Sequence, residues 1–375
     1  MALVLNEEQR LLAETAREFL QKQAPVSALR ALRDSRDPLG YDATLWQQMA
    51  ELGWASVILP EDFGGLDFGF SGLGVVLQES GRTLTASPLF ATAVVGASAL
   101  LLGGSTDQKA EYLPQVAVGE LTLALALEES AHHRPQHIDT RLETVGDGGE
   151  KVFVLDGHSA DTLLVVARSS GEPAARDGLS VVMVPRDTAG VAIERTVMAD
   201  SRNAANIRFT DVAISSAQVI GNVGEAGAWL EDVLDRGRIA MAAEMLGSVE
   251  EVFARTVAWL KERVQFGVPI GSFQALQHRA ARLQAELELA RSVVLQALAT
   301  VDEQPRQLAL MASLAKANLN ELAKLATNEA VQMHGGIGVT DELEIGFFLK
   351  RARTAMQIFG DTGFHKDRYA TLCGY

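Results

Sequence analysis

The sequence predicts an α+β protein in which a β-rich stretch lies between two helical ones. Three observations support this fold class. Apolar residues recur at helical spacing through residues 1–120, short β-type runs separated by Gly, Asp and Pro fill 121–225, and helical spacing returns over 226–375. We therefore expect an N-terminal helical domain, a central β-barrel or sandwich and a C-terminal helical domain with these boundaries.

The N-terminal helices have start and stop signals. Asn6 precedes two glutamates and an apolar helical pattern, so it is expected to cap the first helix, which Pro25 limits. Gly53 is expected to end a second helix. Thr106 is expected to cap a later helix that Pro114 closes. Two more helices are predicted at residues 73–81 and 91–102.

The later elements follow from the same patterns. The predicted strands are 121–127, 151–155, 162–167, 179–184, 191–196 and 206–209. The predicted long helices lie near 228–264, 273–301, 306–334 and 342–358. Four long helices in succession are typical of a helical bundle.

The composition indicates a globular protein that does not bind nucleic acid. The 375 residues are 47% hydrophobic and carry a net charge of −15, whereas a nucleic-acid partner requires clustered Lys and Arg. The single cysteine, Cys373, excludes an intrachain disulfide and fits a cytoplasmic protein. The N-terminus lacks the basic region of a signal peptide. The uncharged stretch 83–106 could span a membrane by length, but its Pro and Gly residues favour a loop and a buried helix.

The most informative stretch joins two of the long C-terminal helices. It reads Arg-Val-Gln-Phe-Gly-Val-Pro-Ile-Gly-Ser-Phe-Gln from Arg263 to Gln274, and its Gly and Pro residues predict a turn. The spacing alone suits an ordinary helix hairpin with an Arg on its rim. The residues themselves resemble the signature of the acyl-CoA dehydrogenase family. The resemblance continues at 332–338, 104–120 and 59–65, in the family's order over essentially the whole chain.

This resemblance implies FAD as the cofactor and a fold with an N-terminal helical domain, a β-barrel and a C-terminal four-helix bundle. Arg263 would pair with the FAD pyrophosphate of a neighbouring subunit, which requires an oligomer. Gln332 and the backbone at Gly335 and Gly336 would approach the dinucleotide, although the two glycines also suit a helix C-cap. The other implied cofactor contacts are Phe266, Gln274 and Thr362.

The implied reaction is removal of an α-proton from an acyl-CoA by a carboxylate, with hydride transfer to the flavin and then electron transfer to an electron-transfer flavoprotein. The family places its catalytic Glu at one of two positions, and both are glycine here, Gly360 and Gly237. Asp361 and Glu244 are the nearby candidate bases. The simpler interpretations are a helix N-cap for Asp361 and a salt-bridged bundle residue for Glu244. Arg238 either orients substrate or pairs with a carboxylate of another helix.

The β-rich segment also departs from the family pattern. Glu128 replaces a Thr that faces the flavin in the family, and residues 153–155 replace a Trp-Ile-Thr/Ser segment that flanks it. FAD is therefore expected to bind differently, or only together with a partner. His132, His133 and His137 lie close in sequence but lack the carboxylate spacing of a metal site, so a solvated loop and no metal are predicted.

One branch of the family is especially similar. Residues 261–279, 332–340 and 359–361 resemble the small subunit of pimeloyl-CoA-type dehydrogenases, which pairs with a Glu-bearing subunit in an α2β2 tetramer. Three interpretations follow. The chain is an FAD-linked acyl-CoA dehydrogenase subunit in a homo- or heterotetramer, a non-catalytic subunit completing the FAD site of a Glu-bearing paralogue, or a flavin monooxygenase on the same fold. A partner requirement distinguishes the first two, and oxygen-dependent hydroxylation would identify the third.

Overall fold

The protein is described by a computed structural model that covers residues 4–142 and 149–375. The chain divides into two compact units. The first combines the chain up to Ala31 with Phe70–Thr85 and Arg238–Tyr375, and the second combines Leu32–Gly69 with Ala86–Gly237. Both units thus contain residues from the range 1–120. The division into domains at 1–120, 121–225 and 226–375 stays a prediction.

Helices account for most of the regular structure. In the described ranges the α-helices are α1 (Glu7–Gln23), α2 (Val26–Ser35), α3 (Ala43–Glu51), α4 (Phe70–Thr83), α5 (Ala97–Gly103), α6 (Thr106–Ala117), α7 (Leu230–Glu262), α8 (Gln274–Glu303), α9 (Leu308–His334), α10 (Ile345–Ala355) and α11 (Thr362–Leu372). A π-helical segment, Phe90–Gly96, leads into α5. The long C-terminal helices lie within a few residues of their predicted positions. Among the residues that the structure covers, no helix is long and apolar enough to cross a membrane.

The strands of the second unit form two small sheets. They are β1 (Leu123–Ala126), β2 (Glu150–Leu155), β3 (Thr162–Arg168), β4 (Leu179–Pro185), β5 (Val191–Val197) and β6 (Asn203–Phe209), and a hairpin of β7 (Val264–Gln265) and β8 (Val268–Pro269) lies in the first unit. One sheet has the order β1-β3-β4, with β1 parallel to β3, and the other is the antiparallel β2-β6-β5. Val165, Val182 and Ile207 are fully buried in the apolar core between these strands.

Two local predictions about α6 were wrong. Ser105 rather than Thr106 caps the helix, because its side chain accepts a hydrogen bond from the backbone N–H of Gln108 at 3.2 Å. The helix also continues through Pro114 to Ala117, since a proline near the end of a helix removes only one backbone hydrogen bond. By contrast, the predicted cap at Asn6 is confirmed as a full capping box.

Ion pairs of two buried carboxylates connect the helices of the first unit. Glu79 on α4 and Glu250 on α7 are 3% and 4% exposed. Glu79 accepts from Arg17 on α1 at 2.8 Å, and Glu250 accepts from Arg291 on α8 at 2.5 Å, while Arg82 bonds to both carboxylates. Because a buried carboxylate must be paired, this network holds α7 in a defined register against α1, α4 and α8.

Candidate cofactor site and the position of the catalytic base

The connection between α7 and α8 is a β-hairpin with a two-residue turn. Phe266 and Gly267 occupy the turn with φ values of +54° and +79°. Positive φ at both turn positions matches the twist of the flanking strands and explains the glycine. The Phe266 side chain is 92% exposed and touches the Phe273 ring edge-on, with 6.2 Å between the ring centroids. The turn therefore displays an aromatic side chain to solvent.

Arg263 leads into this hairpin and belongs to a stack of planar side chains. Its guanidinium carbon lies 5.5 Å from the centroid of the Trp259 ring. Trp259 stacks in turn on His334, with centroids 5.1 Å apart and an interplanar angle of 23°. His334 is the last residue of α9, and Gly335 caps that helix with φ +68°. The stack thus brings the two motifs that resemble FAD-binding segments together.

The surroundings of these motifs are open. A Cβ built on Gly335 or on Gly336 meets no atom of the described chain within 4 Å. Arg263, Gln332 and Gln274, the first residue of α8, are exposed. A guanidinium binds phosphate through charge-assisted hydrogen bonds, and glycine leaves space for a dinucleotide near the backbone. These residues therefore fit the phosphates of FAD.

The position of the implied catalytic Glu is Gly360, in the segment between α10 and α11. Gly360 has φ +116°, and the preceding Phe359 has φ +55°. A Cβ on Gly360 would lie 2.5 Å from Cδ1 of Phe364 and 2.8 Å from Nε2 of His365, which is shorter than real Cβ contacts. In this conformation the position has no space for a side chain.

Buried donors hold the carbonyl groups of this segment. Arg238 Nε donates to the Phe359 carbonyl at 3.1 Å, and His365 Nε2 donates to the same oxygen at 3.1 Å. Lys316 Nζ donates to the Gly360 carbonyl at 3.3 Å. All three donor side chains are 0% exposed. Hydrogen-bond donors therefore hold both backbone carbonyl groups at the position where the family places a proton acceptor.

The two candidate carboxylates both have structural contacts. Asp361 caps α11, with its Oδ1 accepting from the Phe364 backbone N–H at 2.8 Å. Glu244 Oε1 lies 3.2 Å from Arg351 Nη1, and these two side chains are 6% and 4% exposed. The simpler interpretations of both residues, an N-cap and a salt-bridged bundle residue, are confirmed. Thr362 follows the cap as the first residue of α11.

In the second unit, an ion pair and a histidine–carboxylate contact hold the segment that the resemblance places near the flavin. Lys151 is fully buried, and its Nζ lies 2.6 Å from Glu129 Oε1 and 3.2 Å from the Leu127 carbonyl. Burial opposes ionisation of Glu129, but the Lys151 ammonium still holds its pKa below the usual value. Glu128 Oε1 lies 2.5 Å from His133 Nδ1. Across residues 4–142 and 149–375, no three His, Cys, Asp or Glu side chains are grouped to hold a metal ion.

A strained aromatic residue follows on β2. A bulge between Lys151 and Val154 interrupts the pairing of β2 with β6. Phe153 lies in this bulge with φ +52° and leaves 48% of its surface exposed. A left-handed conformation is rare for a bulky residue, and bulges often direct a side chain toward a functional site.

A small β region between helical segments, together with the exposed Arg263 and the open glycines at 335 and 336, fits the class of flavin-dependent dehydrogenases. The N-terminal domain of acyl-CoA dehydrogenases matches residues 6–120, and the C-terminal domain of acyl-CoA dehydrogenases matches residues 227–371. The chain belongs to the acyl-CoA dehydrogenase family. The predicted fold and the predicted flavoprotein oxidoreductase class are confirmed by this membership, and FAD is the cofactor of the family.

Three relatives illustrate the similarity. Acyl-CoA dehydrogenase IpdE2 of Mycolicibacterium smegmatis is 32% identical over 95% of this chain and 96% of its own. The structure of the steroid ACAD Tcur3481-Tcur3483, solved as a glycine-to-alanine variant, is 30% identical over 98% of both chains, with a TM-score of 0.86. The ChsE4-ChsE5 complex from Mycobacterium tuberculosis shares the fold at 23% identity, with a TM-score of 0.85 over 100% of this chain and 99% of its own.

Lys316 and His365 were missed by the sequence reasoning. The available signal for Lys316 was its place on the apolar face of α9. Leu319 and Ala323 follow it at helical spacing, and Ala312 precedes it by one turn, all of them buried. A lysine on such a face is unusual, because an ammonium is rarely placed in a core without a partner.

Proposed function

We propose that this chain is a subunit of a heteromeric acyl-CoA dehydrogenase that contributes cofactor contacts but no proton-abstracting base. The arrangement around Gly360 carries this proposal. A general base must accept a proton within hydrogen-bond reach of the substrate. Here the position is a glycine without space for a side chain, and the donors Arg238, Lys316 and His365 bond to the backbone carbonyls of Phe359 and Gly360. The base then belongs to a Glu-bearing paralogue in an α2β2 assembly.

The contacts of the two other carboxylates support the same proposal. Glu244 as a base would have to leave Arg351, and breaking a buried ion pair costs about 3–5 kcal/mol. Asp361 would have to give up its helix cap, which costs roughly 0.5–2 kcal/mol. Using Asp361 as the base therefore costs less free energy than using Glu244. Asp361 is the base to test first if the chain is active alone.

The cofactor contacts are proposed for residues of the first unit. When bound, FAD supplies the acceptor for the hydride that leaves the substrate β-carbon. Arg263 would hold the pyrophosphate, and its contact with Trp259 restricts the guanidinium before binding, which favours affinity. The other proposed contacts are Phe266, Gln274, Gln332, Gly335, Gly336 and Thr362.

The partners proposed are an acyl-CoA thioester, an electron-transfer flavoprotein and a paralogous subunit. Two of the similar structures, Tcur3481-Tcur3483 and the ChsE4-ChsE5 complex, each carry the names of two proteins, which supports a paired assembly. Arg238 is proposed to orient substrate only through the segment that it holds, since its Nε donates to the Phe359 carbonyl.

The test compares the chain alone with the chain co-purified with a Glu-bearing paralogue. We expect an acyl-CoA to bleach the flavin band of the complex but not of the isolated chain. Asp361→Asn keeps a good helix cap while removing the charge, and Glu244→Gln keeps the side-chain shape, so both variants should bleach like wild type in the complex. The proposal fails if the isolated chain bleaches and one of these two substitutions abolishes the effect.

A further inference from the structure

Lys316 makes an unusual set of contacts in α9. Its side chain is 0% exposed, and its Nζ lies within hydrogen-bond distance of four oxygen atoms. They are Asn320 Oδ1 at 2.8 Å and the carbonyls of Ala355 at 2.9 Å, Met356 at 3.3 Å and Gly360 at 3.3 Å. All four acceptors are neutral. An ammonium has three N–H groups, so every one of them can be satisfied here.

These acceptors connect three parts of the first unit. The Ala355 and Met356 carbonyls lie at the C-terminal end of α10, where the last carbonyls lack partners within the helix and carry partial negative charge. The Gly360 carbonyl lies just before α11. Lys316 therefore ties the end of α10 and the start of α11 to α9.

The segment that Lys316 holds is strained. Phe359 has a φ of +55°, and a bulky residue keeps such a conformation only where the surroundings enforce it, whereas Gly360 adopts its φ of +116° readily because it has no side chain. Arg238 and His365 hold the Phe359 carbonyl, and Lys316 holds the next one. Together these donors determine the direction of both peptide groups.

Keeping an ammonium in this place is costly for folding. Burial, together with the nearby Arg238 guanidinium, lowers the pKa of Lys316 to about 7, although the Asp361 carboxylate acts in the opposite direction. An apolar side chain of similar length would avoid the desolvation of a charge. The presence of a polar group despite this cost indicates that its hydrogen bonds are needed to hold the backbone of this segment in place.

We infer that Lys316 is a positioning residue that fixes residues 359–362 and so sets the place of Asp361 and Thr362 at the start of α11. What this segment does for the cofactor rests on the proposed function. The claim that Lys316 fixes the segment is independent of the proposed function, and it can be tested in the isolated chain.

The test is hydrogen exchange of the isolated full chain at neutral pH. The probes are three backbone N–H groups. That of Gly360 donates to the Gln357 carbonyl, that of Phe364 to the Asp361 side chain, and that of His365 to the Asp361 carbonyl. Lys316→Met keeps most of the length of the side chain but has no N–H donors, and Lys316→Gln restores two N–H donors. We expect exchange at these probes to rise about tenfold or more in Lys316→Met, because the substitution removes several hydrogen bonds to this segment at once. Exchange should recover partly in Lys316→Gln.

The matched control is Lys324→Met, which removes an exposed lysine from the same helix. It should leave the probes unchanged. The inference is overturned if Lys316→Met and Lys324→Met exchange alike, or if amides throughout the first unit accelerate together, since a general packing role would act everywhere. If Lys316→Met fails to fold, exchange in Lys316→Gln is compared with exchange in Lys324→Met instead. A failed partner assay would overturn the proposed function and leave this result untouched.

Discussion

Replacing Gly360 by alanine tests whether the position of the catalytic base is closed. A φ of +116° is adopted almost only by glycine, and holding another residue there costs about 1–3 kcal/mol. The new methyl group would also lie 2.5 Å from Phe364 and 2.8 Å from His365, and overpacking of this kind adds roughly 1–3 kcal/mol. Gly360→Ala should therefore destabilise the chain by roughly 2–6 kcal/mol.

Urea unfolding with a neighbouring glycine as control measures this effect. Gly363 lies in α11, where the nearest atom to an added Cβ is Asp361 Oδ1 at 3.4 Å. Because alanine is favoured over glycine in helices by up to about 1 kcal/mol, Gly363→Ala should be neutral or stabilising. The two substitutions are thus expected to have opposite signs. A Gly360→Ala chain as stable as wild type would refute the reasoning, since the segment could then accept a side chain and Gly360→Glu could supply a base.

Three further predictions follow from the charged groups of the first unit. Because the pKa of Lys316 is lowered to about 7 in the folded chain, the unfolded chain binds more protons between pH 7 and 10. The unfolding free energy of wild type should therefore rise by about 1.4 kcal/mol per pH unit relative to that of Lys316→Met. Unfolding free energies that run parallel with pH would contradict this. Arg263→Ala should weaken FAD binding by roughly tenfold or more in a fluorescence titration of the assembled protein, with Arg306→Ala, an exposed arginine, as the control that should bind normally. Arg351→Met should lower the unfolding free energy by about 3–5 kcal/mol because it leaves Glu244 buried without this partner. The double variant with Glu244→Leu should regain most of that stability. Simple additivity of the two substitutions would argue against a coupled pair.

Local patterns in the sequence predicted much of the architecture. The cap at Asn6, the turn after Arg263 and the C-cap at Gly335 each depend on residues within a few positions, so one stretch of sequence contains the necessary information. The same locality explains the error at Pro114. A breaker residue predicts that a helix ends nearby, but the packing of the unit decides on which turn it ends.

The closure of the base position could not be predicted in this way. The glycine at 360 was visible, but the atoms that fill the space belong to Phe364 and His365, and the donors that hold the segment come from α7 and α9. The donors Arg238 and Lys316 are far from this segment in sequence. Phe364 and His365 lie only four and five positions after Gly360, but no spacing rule predicts the φ of +116° that brings them against it. The contact of Trp259 with His334 is of the same kind, since Trp259 lies outside both motifs and connects Arg263 of the first to His334 of the second.

The measurement that tests the central claim most directly is the reduction of the flavin by an acyl-CoA, followed by visible absorbance, in the isolated chain and in its complex with a Glu-bearing paralogue. The account predicts bleaching only in the complex, loss of the flavin band or of its bleaching when Arg263 of this chain is replaced by alanine, and no change with Asp361→Asn or Glu244→Gln. Bleaching of the isolated chain that disappears with Asp361→Asn would contradict it and would identify this subunit as a dehydrogenase with its own base.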